Sequence, residues 1–434
     1  MEFLSGIDSY VVDIIFGILT LTAAFLILRL IIAFLKNWWL DESQAKFAAG
    51  IEYVLLEIKF PKDNETFPKA MEQVFASFYQ IYSFGIKPEK KWLEGQFEEK
   101  ISAEMISSRE GIRFFLRTNK KNRPLVESAI FAEYPGAEIV EVMEDYVKKF
   151  PPDLPNAEYD IMGADMILGK DSAYPIKTYP YFFGERKYEE QEVDPIAHLA
   201  EVMSGLKSDE HMWIQVIISP AGDDLKNAAK KIIAEKSGKK EGAKKGFGGE
   251  LLEFTHQAVL APIKYPEWGD AVKPEEKPKS VSAQDAEIIR AVDAKATKLA
   301  FNTIVRIIYI DKKDSFSGNN FKAAISTFQQ FNIQNLNFIR PAALTMTIPS
   351  RFYIPHKKQI LFKKKKEIYT NYIKRDFTAF TNVEEMYKKH LNPSIFNVEE
   401  LATIFHPPIG RVAATGLGQP ASKKGAPPVN LPIG

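Results

Sequence analysis

The chain has 434 residues, of which 45% are hydrophobic and 26% are charged, and its formal net charge is +1. This composition is typical of a packed globular protein, and the near-zero charge excludes a global electrostatic field that would attract nucleic acid. The chain contains no cysteine, which excludes disulfides, thiolate catalysis and cysteine metal ligands.

An almost unbroken apolar run of 22 residues extends from Ile14 to Leu35. As an α-helix it would be about 33 Å long, which is enough to cross a hydrocarbon core of about 30 Å. Its one charged residue lies near one end, and a lysine and two tryptophans follow where headgroups would lie. The run predicts a single-pass anchor, with an N-terminal segment over residues 1–36 and a helical neck over residues 37–50. The predicted anchor and interface residues are Ile14, Arg29, Leu35, Lys36, Trp38 and Trp39.

A cleaved signal peptide and a buried core helix are the two alternatives for this run. The residues before it include Glu2, Asp8 and Asp13 but no Lys or Arg, and no small-residue cleavage site follows it. Because Arg29 and Lys36 lie on the C-terminal side of the run and no basic residue precedes it, the positive-inside rule predicts an external N-terminus and a cytoplasmic bulk. We therefore expect a lipid bilayer as a partner and a location in the inner (cytoplasmic) membrane.

Residues 51–150 follow the order β-α-β-β-α-β. Apolar residues at helical spacing follow Thr66, and a second helix pattern runs from Pro124 to about Tyr134. Strand patterns occur at Tyr53–Phe60, Lys100–Ser107, Gly111–Thr118 and Ala137–Met143. This order predicts a ferredoxin-like sandwich, in which two helices cover one face of an antiparallel sheet.

The same order is predicted again over residues 151–345, with a long insertion, residues 221–300, between the two middle strands. Asp224–Lys236 and Ala283–Leu299 favour helices within the insertion, and the runs between them are typical of mobile linkers. The insertion is either a partner-binding helical arm or a disordered decoration. The predicted elements outside it are Asp160–Gly169, Pro195–Leu206, His211–Ser219, Phe301–Asp311, Asn319–Phe331 and Leu336–Arg340.

The predicted fold class is therefore α+β, with one transmembrane helix followed by two ferredoxin-like domains, the second carrying a long helical insertion. Residues 346–408 are expected to form a C-terminal helical region, in which Asn397 and Glu400 have the spacing of a capping box. Residues 409–434 are rich in Gly, Pro, Ala and Lys, which predicts a flexible tail.

No catalytic or metal-binding constellation is recognisable in the sequence. The chain has no phosphate-binding G-x-x-x-x-G-K-[ST], no G-x-S-x-G and no H-E-x-x-H, and its six histidines are scattered through unrelated elements. We therefore expect no catalytic residue, no metal ligand and no cofactor, and a protein that is not an enzyme.

One basic segment interleaves lysines with aromatic residues. Such a segment can bind anionic headgroups or single-stranded nucleic acid, and a solvated helix face is the alternative. The candidate contact residues are Lys357, Lys358, Lys363, Lys364, Lys365, Lys366 and Tyr369.

Several stretches are similar to a known family. They are Tyr53–Phe75 (YVLLEIKFPKDNETFPKAMEQVF), Ile112–Val142, Asn397–Pro408 (NVEELATIFHPP) and the terminal Pro427–Pro432. Together they resemble the N-terminal, membrane-anchored region of a bacterial family related to type IV secretion and conjugative DNA-transfer ATPases, common in candidate-phyla bacteria. In fused relatives, the EELATIFH-like helix and the proline-rich segment lead into a HerA/FtsK-like ATPase domain with a Walker A loop.

This chain stops at Gly434, where that domain would begin, and none of the ATPase residues is present. The resemblance therefore implies a non-enzymatic scaffold or adaptor of a translocation machine that docks a HerA/FtsK-like ATPase in trans and forms a homo-oligomer. The residues that it implies for ATPase docking are Glu399, Glu400, Leu401 and Phe405. A nucleic-acid-binding module that guides DNA at the membrane, or a membrane scaffold unrelated to DNA transfer, are the alternatives.

Overall fold

The fold is described from a computed structural model. It covers residues 9–61, 64–83, 85–108, 111–183, 194–237, 282–349, 356–376 and 393–409. Within these ranges a single antiparallel sheet of nine strands organises the chain, and one long N-terminal helix precedes it. The prediction of a mixed fold with an antiparallel sheet and one apolar N-terminal helix is therefore confirmed.

The strand bounds agree closely with the apolar patterns of the sequence. The strands are β1 (Tyr53–Lys59), β2 (Ile101–Ser108), β3 (Gly111–Asn119), β4 (Glu138–Glu141), β5 (Tyr159–Leu168), β6 (His211–Pro220), β7 (Ala300–Lys312), β8 (Ile339–Pro341) and β9 (Ser394–Asn397). Most central strands bury nearly every residue, because both faces of the sheet are covered.

The sheet has an internal symmetry. Eight of its strands have the order β4-β1-β3-β2-β6-β7-β5-β8, and β9 pairs with the start of β7. Each half of this order therefore reads fourth, first, third, second from its outer edge inwards. The halves meet where β2 pairs with β6, from Ile101 opposite Ile218 to Ile106 opposite Trp213. The two predicted β-α-β-β-α-β patterns therefore share one continuous sheet, joined through the second strand of each.

Within the described ranges, five helices cover one face of the sheet and bury apolar side chains against the strands. They are α2 (Pro68–Phe78), α4 (Arg123–Glu133), α5 (Ala197–Ser204), α8 (Asn319–Thr327) and α10 (Val398–Ile404). Their apolar side chains and those of all central strands form the largest core cluster, which extends across both halves.

The opposite face carries a second core. The helix α9 (Lys357–Lys374) and the segment around Tyr146 and Leu154 pack there on Phe115, Trp213 and Ile308. Because α9 lies across β5, it belongs to the packed fold and not to a separate C-terminal helical region.

The insertion between β6 and β7 begins and ends with helices that pack on each other. They are α6 (Asp224–Lys236) and α7 (Ala283–Ala296), and they form a third cluster around Leu225, Val292 and Leu336. The linker segments between α6 and α7 and the predicted tail from residue 410 onwards lie outside the described residues.

The first helix, α1 (Ser9–Ala49), is 41 residues long. It is continuous across the boundary between the predicted anchor and neck, and it ends shortly before β1. One further short helix, α3 (Pro88–Leu93), follows the first crossover and buries none of its residues. Because β1 starts beside the end of α1, the sheet end at Tyr53, Asn119 and Ile101 is the one nearest to this helix.

Candidate functional site

The apolar part of α1 is exposed. Its side chains Ile14, Leu35, Trp38 and Trp39 all leave more than half of their surface uncovered, and Arg29 and Lys36 are exposed as well. Residues Phe16–Ala49 include a window with a mean hydropathy of 2.5, none of which is buried. By length and composition this helix can span a membrane. Its exposure disagrees with the alternative interpretation, in which it is a buried core helix.

The basic helix α9 is only partly a surface element. Lys358, Lys363 and Lys366 are exposed, as predicted for contact residues. Lys365 is buried, with Nζ 2.7 Å from Asp160 Oδ1, and Tyr369 is buried with its hydroxyl donating to the Pro151 carbonyl at 3.0 Å. The prediction that these two residues contact an anionic surface or nucleic acid is therefore wrong, because helical spacing turns them onto the sheet.

Two other lysines of α9 are also partly engaged. Lys364 Nζ donates to the Ala343 carbonyl at 3.2 Å, and Lys357 is half-buried with a polar interaction of its own. Lys363 lies 3.7 Å from Glu367, one helical turn away. The exposed charge of α9 is therefore smaller than the run of lysines indicates.

The predicted ATPase-docking residues are components of the core. Glu400, Leu401 and Phe405 are buried, and Phe405 packs edge-on against Phe75 and Phe114 at 6.1 and 5.8 Å between ring centroids. Glu399 is the one with an exposed fraction, and it is bonded to Thr178 and Lys298. The prediction that a partner docks on these four residues is therefore wrong, because three of them are buried and the fourth is bonded within the fold.

The C-terminal segment is held by polar contacts as well. Asn397 forms the predicted capping box with Glu400. The Glu400 carboxylate also lies 2.8 Å from Lys295 Nζ, and both side chains are fully buried. Burial raises the pKa of the Glu400 carboxyl and lowers the pKa of the Lys295 ammonium, each against the attraction of its partner.

A buried histidine closes the segment. His406 Nε2 lies 3.0 Å from Asp194 Oδ1, and its Nδ1 lies 2.7 Å from the Ala402 carbonyl. Burial raises the pKa of the Asp194 carboxyl, but His406 and the backbone N–H groups of Ile409 and Ile196 outweigh it and hold that pKa below its ordinary value. These contacts hold the C-terminal segment in place, and both ring nitrogens of His406 are engaged in them.

A row of polar side chains crosses the sheet where its halves meet. Glu104, Gln215, Arg306 and Asp165 lie opposite one another on β2, β6, β7 and β5. Arg306 Nε donates to Asp165 at 2.7 Å, and Gln215 donates to Glu104 at 3.2 Å. This row was not predicted from the sequence, although a Glu and an Arg within otherwise apolar strands were the signal for it.

The residue that covers this row is Arg375, just after α9. Its guanidinium is bidentate to Glu104, at 2.7 and 3.0 Å, and to Asp145, at 2.6 and 3.1 Å. Burial raises the pKa of the Glu104 carboxyl, but Arg375 and the Ser102 and Tyr146 hydroxyls hold it below its ordinary value of 4.5. The row is thus a buried ion network that attaches α9 and the residues just after it to both halves of the sheet.

An open cleft of ≈ 530 Å³ lies at the other end of the sheet from α1, between the β2–β3 hairpin and the start of β6. Its lining includes the aromatic residues Tyr146, Phe150 and Trp213, together with residues of both signs of charge. The charged or titratable lining residues are Arg113, Lys149, Lys207, Asp209, Glu210 and His211.

The polar groups of this cleft are engaged with the fold. Arg113 is bidentate to Glu57 at 2.6 and 2.7 Å, and Glu210 accepts from the Tyr309 hydroxyl at 3.0 Å. Ser107 accepts from the backbone N–H of Met212, and Ser108 donates to the Gly111 carbonyl. The arrangement suits a polar protein surface better than a nucleophile with an aligned base.

No group of three or more His, Cys, Asp or Glu that could hold a metal occurs among the residues that the structure describes. The expectation that the chain binds no metal and no cofactor stays a prediction.

A family of uncharacterised proteins matches most of the chain. The family described as "Domain of unknown function (DUF8128)" matches residues 39–338. The chain belongs to the DUF8128 family. The match runs from the end of α1 to just before β8, and it carries no link to type IV secretion or to HerA/FtsK-like proteins. A comparison with curated proteins finds no match.

Proposed function

We propose that this DUF8128 protein is a non-enzymatic scaffold anchored in a membrane by α1, with its sheet module presented to a partner at the membrane surface. The observation that carries the proposal is the long exposed apolar helix in direct continuity with a fully packed module. The open mixed-charge cleft at the far end of the sheet supports a partner site that the anchor directs away from the bilayer.

We further propose that each half of the sheet is a ferredoxin-like unit, which the repeated strand order supports. The basic residues after the apolar run support an inner-membrane location with an external N-terminus and a cytoplasmic module. The resemblance supports a HerA/FtsK-like ATPase in trans as the partner of a type IV secretion or conjugation-like machine, and a homo-oligomer as the assembled state.

Carbonate extraction tests the anchor. The full-length protein should stay in the membrane fraction, whereas a variant that lacks residues 9–36 should be released with its module folded. Release of the full-length protein by carbonate would contradict the proposal.

Affinity capture in mild detergent, with partners identified by mass spectrometry, tests the scaffold. Because α10 is part of the core, the variant to compare is a charge reversal on the cleft rim, Lys207→Glu with Asp209→Lys. Its matched control is Lys226→Glu with Asp223→Lys, an exposed ion pair on α6. An ATPase that is recovered with the control but lost with the rim variant supports docking at the cleft, and equal recovery with both would contradict it.

A nucleic-acid-binding module is the second candidate, and the exposed lysines of α9 with the exposed Phe362 support it. Phosphate contacts weaken steeply with salt in proportion to their number. The triple variant Lys358→Gln, Lys363→Gln, Lys366→Gln should then bind single-stranded DNA more weakly. Its remaining affinity should also depend less on the salt concentration. Equal affinity of this variant and the unmodified protein at low salt would remove this candidate.

A further inference from the structure

The end of α1 is docked on the module through the segment that contains α3. Trp39 Nε1 donates to the Trp92 carbonyl at 2.9 Å, and Lys36 Nζ lies 4.8 Å from the centroid of the Trp92 ring. About two helical turns further along α1, the rings of Phe47 and Phe97 meet edge-to-face at 5.4 Å between centroids. The module is therefore attached to α1 along its side, in addition to the direct chain connection into β1.

The closeness of this docking is visible at Gly95. Its φ is +68°, and a Cβ at this position would lie 2.2 Å from the backbone carbonyl carbon and oxygen of Ser43. Only a glycine lets the loop approach the helix backbone this closely. The loop therefore fixes α3 at one height along α1.

That height coincides with the end of the apolar run. Lys36 directly follows Leu35, the last residue of the run. Trp39 lies only about 6 Å beyond Leu35 along the helix axis. If α1 spans a bilayer, this is the depth of the headgroups, where Trp and Lys side chains are favoured. Trp92 shares it, because it contacts both Lys36 and Trp39.

The composition and exposure of α3 fit the same layer. The helix buries none of its residues, and Leu93 leaves 73% of its surface exposed. Lys90 lies one turn before Leu93, so a cation and an apolar side chain share one face. Lys87 and Lys91 are also exposed, as are the acidic Glu89 and Glu94. Because these lysines and glutamates nearly cancel, the main attraction of α3 to a bilayer would come from insertion of Trp92 and Leu93. The lysines are placed to contact lipid phosphates.

We propose that α3 is a second membrane-contacting element, which lies in the phospholipid headgroup layer of the bilayer that α1 enters. Leu93 and Trp92 reach the boundary with the acyl chains, and Lys90 and Lys91 contact lipid phosphates. The inference rests on the anchoring proposed above. It adds that the module sits directly on the membrane in a fixed orientation, with the cleft at its far end.

The absence of cysteine from the chain allows one environment-sensitive label at a chosen position. The full-length variants Leu93→Cys, Leu30→Cys and Ser208→Cys are labelled with bimane and reconstituted into phosphatidylcholine–phosphatidylglycerol vesicles. The vesicles carry lipids spin-labelled near the headgroup or deep in the acyl chain. Ser208 is the matched exposed control, since it precedes β6 at the end of the sheet away from α1, and β6 spans about 33 Å.

The proposal expects the label at position 93 to be quenched by the shallow lipid and the label at position 208 to be unquenched. Quenching at position 30 by the deep lipid reports the anchor independently. Quenching at 30 with none at 93 would overturn this inference alone, and α3 would then face another part of the chain or a protein. No quenching at 30 would overturn the anchoring and the inference with it.

A glycine pair tests whether docking on α1 holds α3 in place. Gly95→Ala, added to Leu93→Cys, places a methyl group against the Ser43 backbone and should reduce quenching at position 93 while quenching at 30 is kept. Gly85→Ala is the matched control, because Gly85 also has a positive φ, +86°, but nothing lies within 4 Å of its added Cβ. Equal quenching in the two alanine variants would contradict the role of the docking.

Discussion

The two ends of the described chain, α1 and the segment from β9 through α10, use apolar residues in opposite ways. In α1 the apolar residues surround the helix and remain exposed, whereas in α10 they are packed against α2 and the sheet. Both ends were predicted from the sequence to contact a partner. The difference teaches that a partner is indicated by apolar surface left uncovered and not by apolar or acidic residues as such.

The buried ion pair of the C-terminal segment offers the largest test of this comparison. Lys295→Met leaves the Glu400 carboxylate buried without its partner, and we expect a loss of about 3–5 kcal/mol in the free energy of unfolding. Urea unfolding of the full-length protein in mild detergent, followed by tryptophan fluorescence, measures it. Lys226→Met, at an exposed ion pair, is the control and should change this free energy by less than about 0.5 kcal/mol.

The double variant Lys295→Met, Glu400→Leu distinguishes an unpaired charge from general damage. It removes both charges, so we expect it to be more stable than Lys295→Met alone. A double variant that is less stable would mean that the packing around these side chains, and not the ion pair, dominates.

Two leucine truncations compare the ends directly. Leu401→Ala removes a fully buried side chain of α10 and should cost about 2–5 kcal/mol in the same unfolding measurement. Leu30→Ala removes an exposed side chain of α1 and should leave the unfolding of the module unchanged. A comparable loss in both variants would contradict the separation between an exposed anchor and a packed C-terminal segment.

Acid should act on the sheet module and not on the apolar part of α1. Because Arg375 holds the pKa of Glu104 below its ordinary value, the ion network stabilises the module fully above about pH 4.5 and loses this contribution as pH falls through the lowered pKa. Glu104→Gln should therefore be less stable at neutral pH, with a difference that shrinks in acid. Unfolding curves of both proteins from pH 7 to pH 3 check the sign, and a difference that grows in acid would contradict it.

A small effect is also expected at the polar end of α1. Lys46 lies 3.4 Å from Glu42, one turn away, and both side chains are largely exposed. Lys46→Ala should change the free energy of unfolding by less than about 0.5 kcal/mol, since an exposed pair gains little in water. A larger loss would show that this part of α1 is more strongly coupled to the module than its contacts indicate.

The strands were predictable because local patterns specify them. His211–Ser219 is rich in β-branched and aromatic residues, and it forms β6 with one added residue. The insertion helices were predictable as well, since Asp224–Lys236 is amphipathic and Ser282 caps Ala283–Ala296. The capping box at Asn397 identified the start of α10 for the same reason.

The surroundings of each element were not predictable, because they depend on contacts between residues far apart in the chain. Nothing near Glu400 in the sequence indicates that Lys295 neutralises it, and nothing near Glu104 indicates Arg375. The four-residue strand β9 was missed because too few residues carry its pattern. The short helix α3 was missed for a similar reason, although Pro88 at the start of the run Pro-Glu-Lys-Lys-Trp-Leu was a usable signal for a helix.

The strand order has a consequence for self-association. At the outer edges lie β4, with four residues, and β8, with three, whereas the internal strand β7 has thirteen. A second copy that tried to continue the sheet would find only a few backbone N–H and C=O groups there. If these chains assemble side by side in a bilayer, they should meet through side chains, and each sheet should end within its own molecule.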